Sequence, residues 1–131
     1  MPTILLIDDE LAIRKYMATL LSQLGYSIRT ADDGNTGCEM AGDPEIKLVI
    51  ADLNMPGEIS GMDIVRKIRA MRPDCPIIVV SGYPTPDRLK ETDENGIEFL
   101  TKPFEIPFLA SILKRLLPPD PGSGPKAPVP K

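Results

Sequence analysis

Asp8, Asp9, Asp52, Ser81 and Lys102 each stand where a short apolar run gives out: Thr3 to Ile7, Ile46 to Ala51, Ile77 to Val80 and Ile97 to Leu100. Three carboxylates, a hydroxyl and an ammonium have little use in a core. Brought together, the carboxylates would repel one another unless a hard cation held them, and Mg²⁺, which takes oxygen ligands and keeps several waters, suits such a set. Beside that charge Asp52 is the natural nucleophile toward a phosphoryl group. Lys102 supplies a second positive contact, and Ser81 a hydrogen bond to a phosphoryl oxygen. An acyl phosphate on Asp52 would then draw Ser81 and its loop inward and convert chemistry into a change of shape.

These residues meet only if the runs between them fold in a particular way. Leu11, Ile13, Met17, Leu20, Leu21 and Leu24 recur near the helical period after the first run, and Gly25 ends that helix. Tyr26 to Thr30 is a second strand, and Asp33-Gly34 opens a weaker helix through Met40. Ile46 to Ala51 is a third strand, whose continuous Leu48-Val49-Ile50 run suits burial on both faces. Met62, Ile64, Val65, Ile68 and Met71 mark a third helix, Ile77 to Val80 a fourth strand and Ile97 to Leu100 a fifth. Ile106, Leu109, Ile112, Leu113, Leu116 and Leu117 give the last helix a strong apolar face. The fourth helix, about Pro86 to Asn95, has Leu89 as its only large apolar residue, which predicts loose packing. Asp9 is positioned to cap the first helix.

Strands alternating with helices predict an α/β fold, a (βα)₅ doubly wound, all-parallel sheet of flavodoxin-like type with strand order 2-1-3-4-5. In such sheets ligands bind beyond the carboxyl ends of the strands at the switch in strand order, here between strands one and three, where Asp8, Asp9 and Asp52 end up. Residues 1–117 form this domain. Pro118 to Lys131, with six prolines and two glycines, reads as a disordered tail or linker.

Composition narrows the chemistry. The 131 residues contain no histidine, which removes Ser-His-Asp and Cys-His catalysis, most zinc sites and any phosphohistidine on this chain. A net charge of −4 offers no electrostatic reason for direct nucleic-acid or membrane binding. Cys38 and Cys75 lack CxxC spacing, and the apolar N-terminal stretch is too short for a signal peptide or membrane span, which fits a cytoplasmic setting. Met55, Met62, Met71 and both cysteines read as packing residues.

Asp8-Asp9, Asp52-Leu53-Asn54-Met55-Pro56, Ser81-Gly82 and Lys102-Pro103-Phe104, in this order and spacing, resemble the receiver domain of two-component response regulators over residues 1 to about 117. The resemblance implies Asp52 as phosphoacceptor, with Asp8 and Asp9 as the acidic pair and Asp9 as the more direct Mg²⁺ ligand. It implies that Asn54 lends a backbone carbonyl to the metal, Ser81 and Phe99 form the switch pair, and Lys102 contacts the phosphate. A cis peptide bond before Pro103 is implied as well. The expected partners are a histidine kinase or histidine phosphotransfer protein as donor and a downstream protein as target, with no output domain in the short tail. One departure is a loop of four residues, Gly57-Glu58-Ile59-Ser60, where the family commonly has three, similar to receivers attached to hybrid sensor kinases. Tyr83, two residues after Ser81, is bulky enough to hinder water's approach to the acyl phosphate. On this reading the chain is a signalling domain, not an enzyme, that assists its own phosphorylation and dephosphorylation.

Two alternatives use overlapping features. An aspartyl-phosphate phosphatase of the haloacid-dehalogenase type would carry Asp-x-Asp after its first strand, where this chain has Asp8-Asp9. A flavodoxin-like electron carrier would need a phosphate-cradling loop there, and the acidic pair would repel a flavin phosphate.

Overall fold

The computed structural model describes residues 1–53, 61–82 and 84–119. Five strands and five helices alternate: β1 (Thr3–Ile7), α1 (Leu11–Gln23), β2 (Ser27–Ala31), α2 (Gly34–Ala41), β3 (Ile46–Asp52), α3 (Gly61–Met71), β4 (Ile77–Ser81), α4 (Pro86–Glu94), β5 (Glu98–Thr101) and α5 (Ile106–Leu116). All four pairings are parallel and the order is β2-β1-β3-β4-β5, as the alternation of elements requires. Asp52 and Ser81 are the last residues of their strands, which run one place past the expected ends at Ala51 and Val80.

Side chains alternate across each strand, so every central strand feeds two cores. Leu5, Ile7, Val49, Ala51, Ile77 and Val79 pack with Ile64, Val65 and Ile68 of α3 on one face. Ile4, Leu6, Leu48, Ile50, Ile78 and Val80 pack with Met17 and Leu21 of α1 and Leu109, Ile112 and Leu113 of α5 on the other. The two cores differ in how their edges are closed. On the α1/α5 side, Tyr26 is buried and its hydroxyl donates to the carbonyl of Leu117 at 2.6 Å, tying the start of β2 to the end of α5. Under the opposite face, Arg72 donates to the carbonyls of Ala41, Asp43 and Ile46 and so joins the ends of α2 and α3 to the start of β3.

Several expected positions differ. Leu11 and Ile13 lie outside the core, 56% and 38% exposed, because only Met17 and Leu21 of α1 turn fully inward. Met71 is likewise exposed at the end of α3. The N-cap of α1 is Glu10 rather than Asp9, with no side-chain capping bond; the Asp8 carboxylate takes the Glu10 amide instead, at 2.9 Å. α4 is the outlier among the helices: among the described residues neither core includes a side chain from it, and Thr92 is its one buried residue.

α2 is short and lies close to the sheet because it has glycine where it crosses β1. A Cβ on Gly37 would stand 2.5 Å from Cδ1 and 2.9 Å from Cγ1 of Ile7, which is itself fully buried and has no room to retreat. The gain in helix propensity from replacing a mid-helix glycine, about 1 kcal/mol at most, does not offset that overlap for a branched side chain. Gly37→Val is expected to destabilise the protein by roughly 1–3 kcal/mol in urea unfolding; stability equal to the parent would show that α2 is free to move away from β1.

Candidate functional site

The carboxyl edge of the sheet gathers what the sequence separates by more than ninety residues. Four polar or charged residues are buried among those described, Asp8, Asp52, Ser81 and Thr92, and three of them stand at this edge. Asp8 follows β1, with its amide bonded to the carbonyl of Ala31 at 3.1 Å. Asp52 ends β3, the neighbouring strand. Carboxylate oxygens of Asp8, Asp9 and Asp52 lie within 4.8 Å of one another, with Asp8 and Asp52 buried and Asp9 exposed. The site therefore has two fixed carboxylates at its floor and a third open to solvent.

Lys102 approaches from the far side. It follows β5, and its amide donates to the carbonyl of Ser81 at 2.9 Å, which carries the chain across the end of β4. Its Nζ donates to Asp52 Oδ2 at 2.9 Å. The peptide bond between Lys102 and Pro103 is cis, as the resemblance implies. Burial alone would lower the Lys102 pKa; the hydrogen bond and charge of Asp52, with help from Asp8 and Glu10, outweigh it and raise the value. Lys102 is thus a permanent cation at the site.

Ser81 is fully buried, next to Val80, which pairs with Asp52. Phe99 pairs with Val79 and is half-buried against the α3-side core. Strand alternation puts Val79 and Ser81 on that same face. Arg88 of α4, a residue not singled out from the sequence, donates from Nη1 to Ser81 Oγ at 3.3 Å. An arginine within one helical turn of a helix start is an ordinary surface feature in sequence, so only the fold reveals its contact. Asn54, Met55-Pro56, the loop 57–60 and Tyr83 lie outside the described residues. Cys38 and Cys75 are free thiols whose pKa values burial pushes up, consistent with inert packing.

The donor set fits a hard divalent cation: all carboxylate oxygen, closely spaced and open on the Asp9 side. Burial raises the Asp8 pKa; the Glu10 amide works against this, and the charges of Asp52 and Asp9 reinforce it. Such strain is what an added positive charge would relieve.

The family model for the response regulator receiver domain matches residues 4–114. The DNA-binding transcriptional regulator NtrC of Azospirillum brasilense is 36% identical over 116 residues, 88% of this chain and 24% of that protein. The chain thus spans about a quarter of the length of the NtrC relatives it matches. Among solved structures, the response regulator protein TrrA of Thermotoga maritima in complex with Mg²⁺ and BeF superposes with a TM-score of 0.79 at 33% identity, covering 89% of this chain and 100% of that one. Chemotaxis protein CheY4 of Vibrio cholerae gives 0.78 at 29% identity, with 89% and 99% covered.

A raised carboxyl pKa has a defined consequence for stability. The folded protein holds the Asp8 proton more tightly than the unfolded chain does, so this contribution is fully present below the ordinary carboxylate range and is lost as pH rises through the raised value. In metal-free buffer Asp8→Asn, which keeps the oxygen that accepts the Glu10 amide, is expected to be more stable than the parent by about 1 kcal/mol at pH 7, the advantage shrinking toward pH 4. Thermal unfolding in the presence of a chelator checks this; a variant less stable than the parent at neutral pH would contradict it.

Proposed function

Since the chain belongs to the response regulator receiver domain family, a family of phosphoryl-accepting signalling switches, we propose that Asp52 is the residue that takes the phosphoryl group, from a phosphohistidine on a partner kinase or phosphotransfer protein. The observation that carries this reading is the position of the Asp52 carboxylate. It is buried, within 4.8 Å of the Asp8 and Asp9 oxygens, and held on its other side by Lys102 at 2.9 Å. A carboxylate so placed is oriented by Lys102 toward an incoming phosphoryl group.

An Asp52 oxygen attacks phosphorus, the O–P bond forms, the P–N bond of the phosphohistidine breaks, and the departing imidazole nitrogen takes up a proton. Asp8, Asp9, Asp52 and the backbone carbonyl of Asn54 would hold Mg²⁺, which when bound neutralises charge on the phosphoryl oxygens. Lys102 does the same from the opposite side, passing from the Asp52 carboxylate to a phosphoryl oxygen. Ser81 donates its hydroxyl to another oxygen, and Phe99 follows on the same face. The surface formed by α4, β5 and α5 changes as a result.

An open groove of about 620 Å³ runs from Lys102 between α1 and the start of α5, lined by Ile13, Tyr16, Phe104 and Ile106 among others. With Leu11 and Tyr16 more than half exposed beside it, this surface offers an apolar seat for the donor protein next to the acceptor. We read residues 1–117 as the switch and 118–131 as a linker or tail. The chain acts in the cytoplasm as a signalling domain without direct nucleic-acid contact, its output carried by another protein or domain. No helix among the described residues is long and apolar enough to cross a membrane.

Incubation with acetyl phosphate and Mg²⁺ is expected to add the mass of one phosphoryl group in intact mass spectrometry. Chelation of Mg²⁺ or Asp52→Ala should abolish it, and Lys102→Ala should lower the rate at least tenfold. Equal labelling of the Asp52→Ala protein would overturn the assignment.

A further inference from the structure

α4 faces its own protein with the wrong side chains for a packed helix. From Pro84 to Lys90 every residue is exposed except Arg88, which is half-buried, while Leu89 points out and is 42% exposed. The inward positions Arg88, Glu91 and Thr92 are all polar. Thr92 bonds back to the carbonyls of Arg88 and Leu89 within its own helix. Among the described residues, two arginines make side-chain hydrogen bonds between α4 and the rest of the domain. Arg66 of α3 makes two bonds to the Glu91 carboxylate at 2.7 and 2.9 Å, and Arg88 donates to Ser81 Oγ at 3.3 Å.

The two ties differ in what they can sense. Arg66 and Glu91 sit on helices, and neither belongs to the acidic cluster. Ser81 ends β4 at the edge where Asp52 stands, and a hydroxyl has one proton and two lone pairs. Donation from Arg88 engages a lone pair of Oγ, whereas a phosphoryl oxygen, an acceptor only, calls on the hydroxyl proton. Movement of Ser81 toward a phosphoryl oxygen lengthens a contact that is already at the long end for a hydrogen bond.

We propose that Arg88 is a positioning residue that couples the Ser81 hydroxyl to α4, holding the helix down before phosphorylation and releasing it when Ser81 turns to the phosphoryl group. The proposal rests on the reading of Asp52 as acceptor and Ser81 as switch. With so little apolar packing, α4 is an element whose stability responds to the strength of its side-chain ties.

Hydrogen exchange of the α4 amides, measured with and without acetyl phosphate and Mg²⁺, tests it. In the parent protein, phosphorylation is expected to speed exchange across Pro86–Glu94 by roughly fivefold, the scale of one net hydrogen bond of ordinary strength, as suits a contact this long. Arg88→Met should show the faster exchange already without phosphorylation and gain little more, Arg88→Lys should restore most of the difference, and Arg66→Met should speed exchange while leaving the phosphorylation-dependent difference intact. Ser81→Ala should match Arg88→Met, with no added effect in the double variant. If Arg88→Met keeps the parent's phosphorylation-dependent difference, Arg88 only stabilises the helix and the coupling is wrong. The mass of each sample separates the two levels: absence of a phosphoryl adduct on the parent overturns the acceptor reading, whereas unphosphorylated Arg88→Met and Ser81→Ala still report on the tie itself, and exchange like the parent's in both would overturn it.

Discussion

The 2.9 Å contact between Lys102 Nζ and Asp52 Oδ2 joins the ends of β5 and β3 across β4 and sets one positive charge against a group of three carboxylates. Taking a carboxylate out of water costs several kcal/mol unless it is paired, and Asp52 and Asp8 are both buried. Lys102 meets that cost for Asp52. Asp8 is met by the Glu10 amide and, less strongly, by the Lys102 charge, and its raised pKa records the shortfall. Taken together the three carboxylates and one ammonium carry three negative charges and one positive, a deficit of two that a single divalent cation matches. The site is thus left unbalanced by the fold in a way that a metal and then a phosphoryl group can exploit.

That imbalance is tolerated because the rest of the domain is strongly held. β1, β3 and β4 are buried on both faces, α1 and α5 close one core and α2 and α3 the other, and the Tyr26 and Arg72 bonds close their far edges. Among the described residues, α4 is the helix that adds no side chain to either core, and Arg66 and Arg88 tie it to the domain. A rigid sheet that presents a strained charge cluster, beside a helix held by few bonds, is the arrangement in which a local charge change is read out as movement of one element.

Much of this was legible from the chain. Parallel pairing followed from strands alternating with helices, and the meeting of Asp8, Asp9, Asp52, Ser81 and Lys102 followed from their common place at strand ends, because the topology leaves them nowhere else to go. Leu89 as the sole large apolar residue of α4 foretold its poor packing. Other features were hidden for physical reasons. Leu11 and Ile13 fit the helical period but not the core, since periodicity marks a face without saying where along a helix that face stops being covered. The cap of α1 was misplaced by one residue because Asp8, Asp9 and Glu10 can all accept an amide, and only the backbone path chooses among them. Arg88 carries no signal in its neighbours; its role depends on the angle at which α4 meets the end of β4.

The convergence of Asp8, Asp9 and Asp52 on one cation is the claim from which the others descend, and it can be located directly. Mn²⁺, a paramagnetic ion with a similar taste for oxygen ligands, should at substoichiometric levels broaden the backbone amide signals of residues 8–10, 52–54 and 102 before those remote from the site, and excess Mg²⁺ should restore them. Broadening that begins instead around the exposed acids Asp63, Asp93 and Glu94, or that Mg²⁺ does not reverse, would contradict the account.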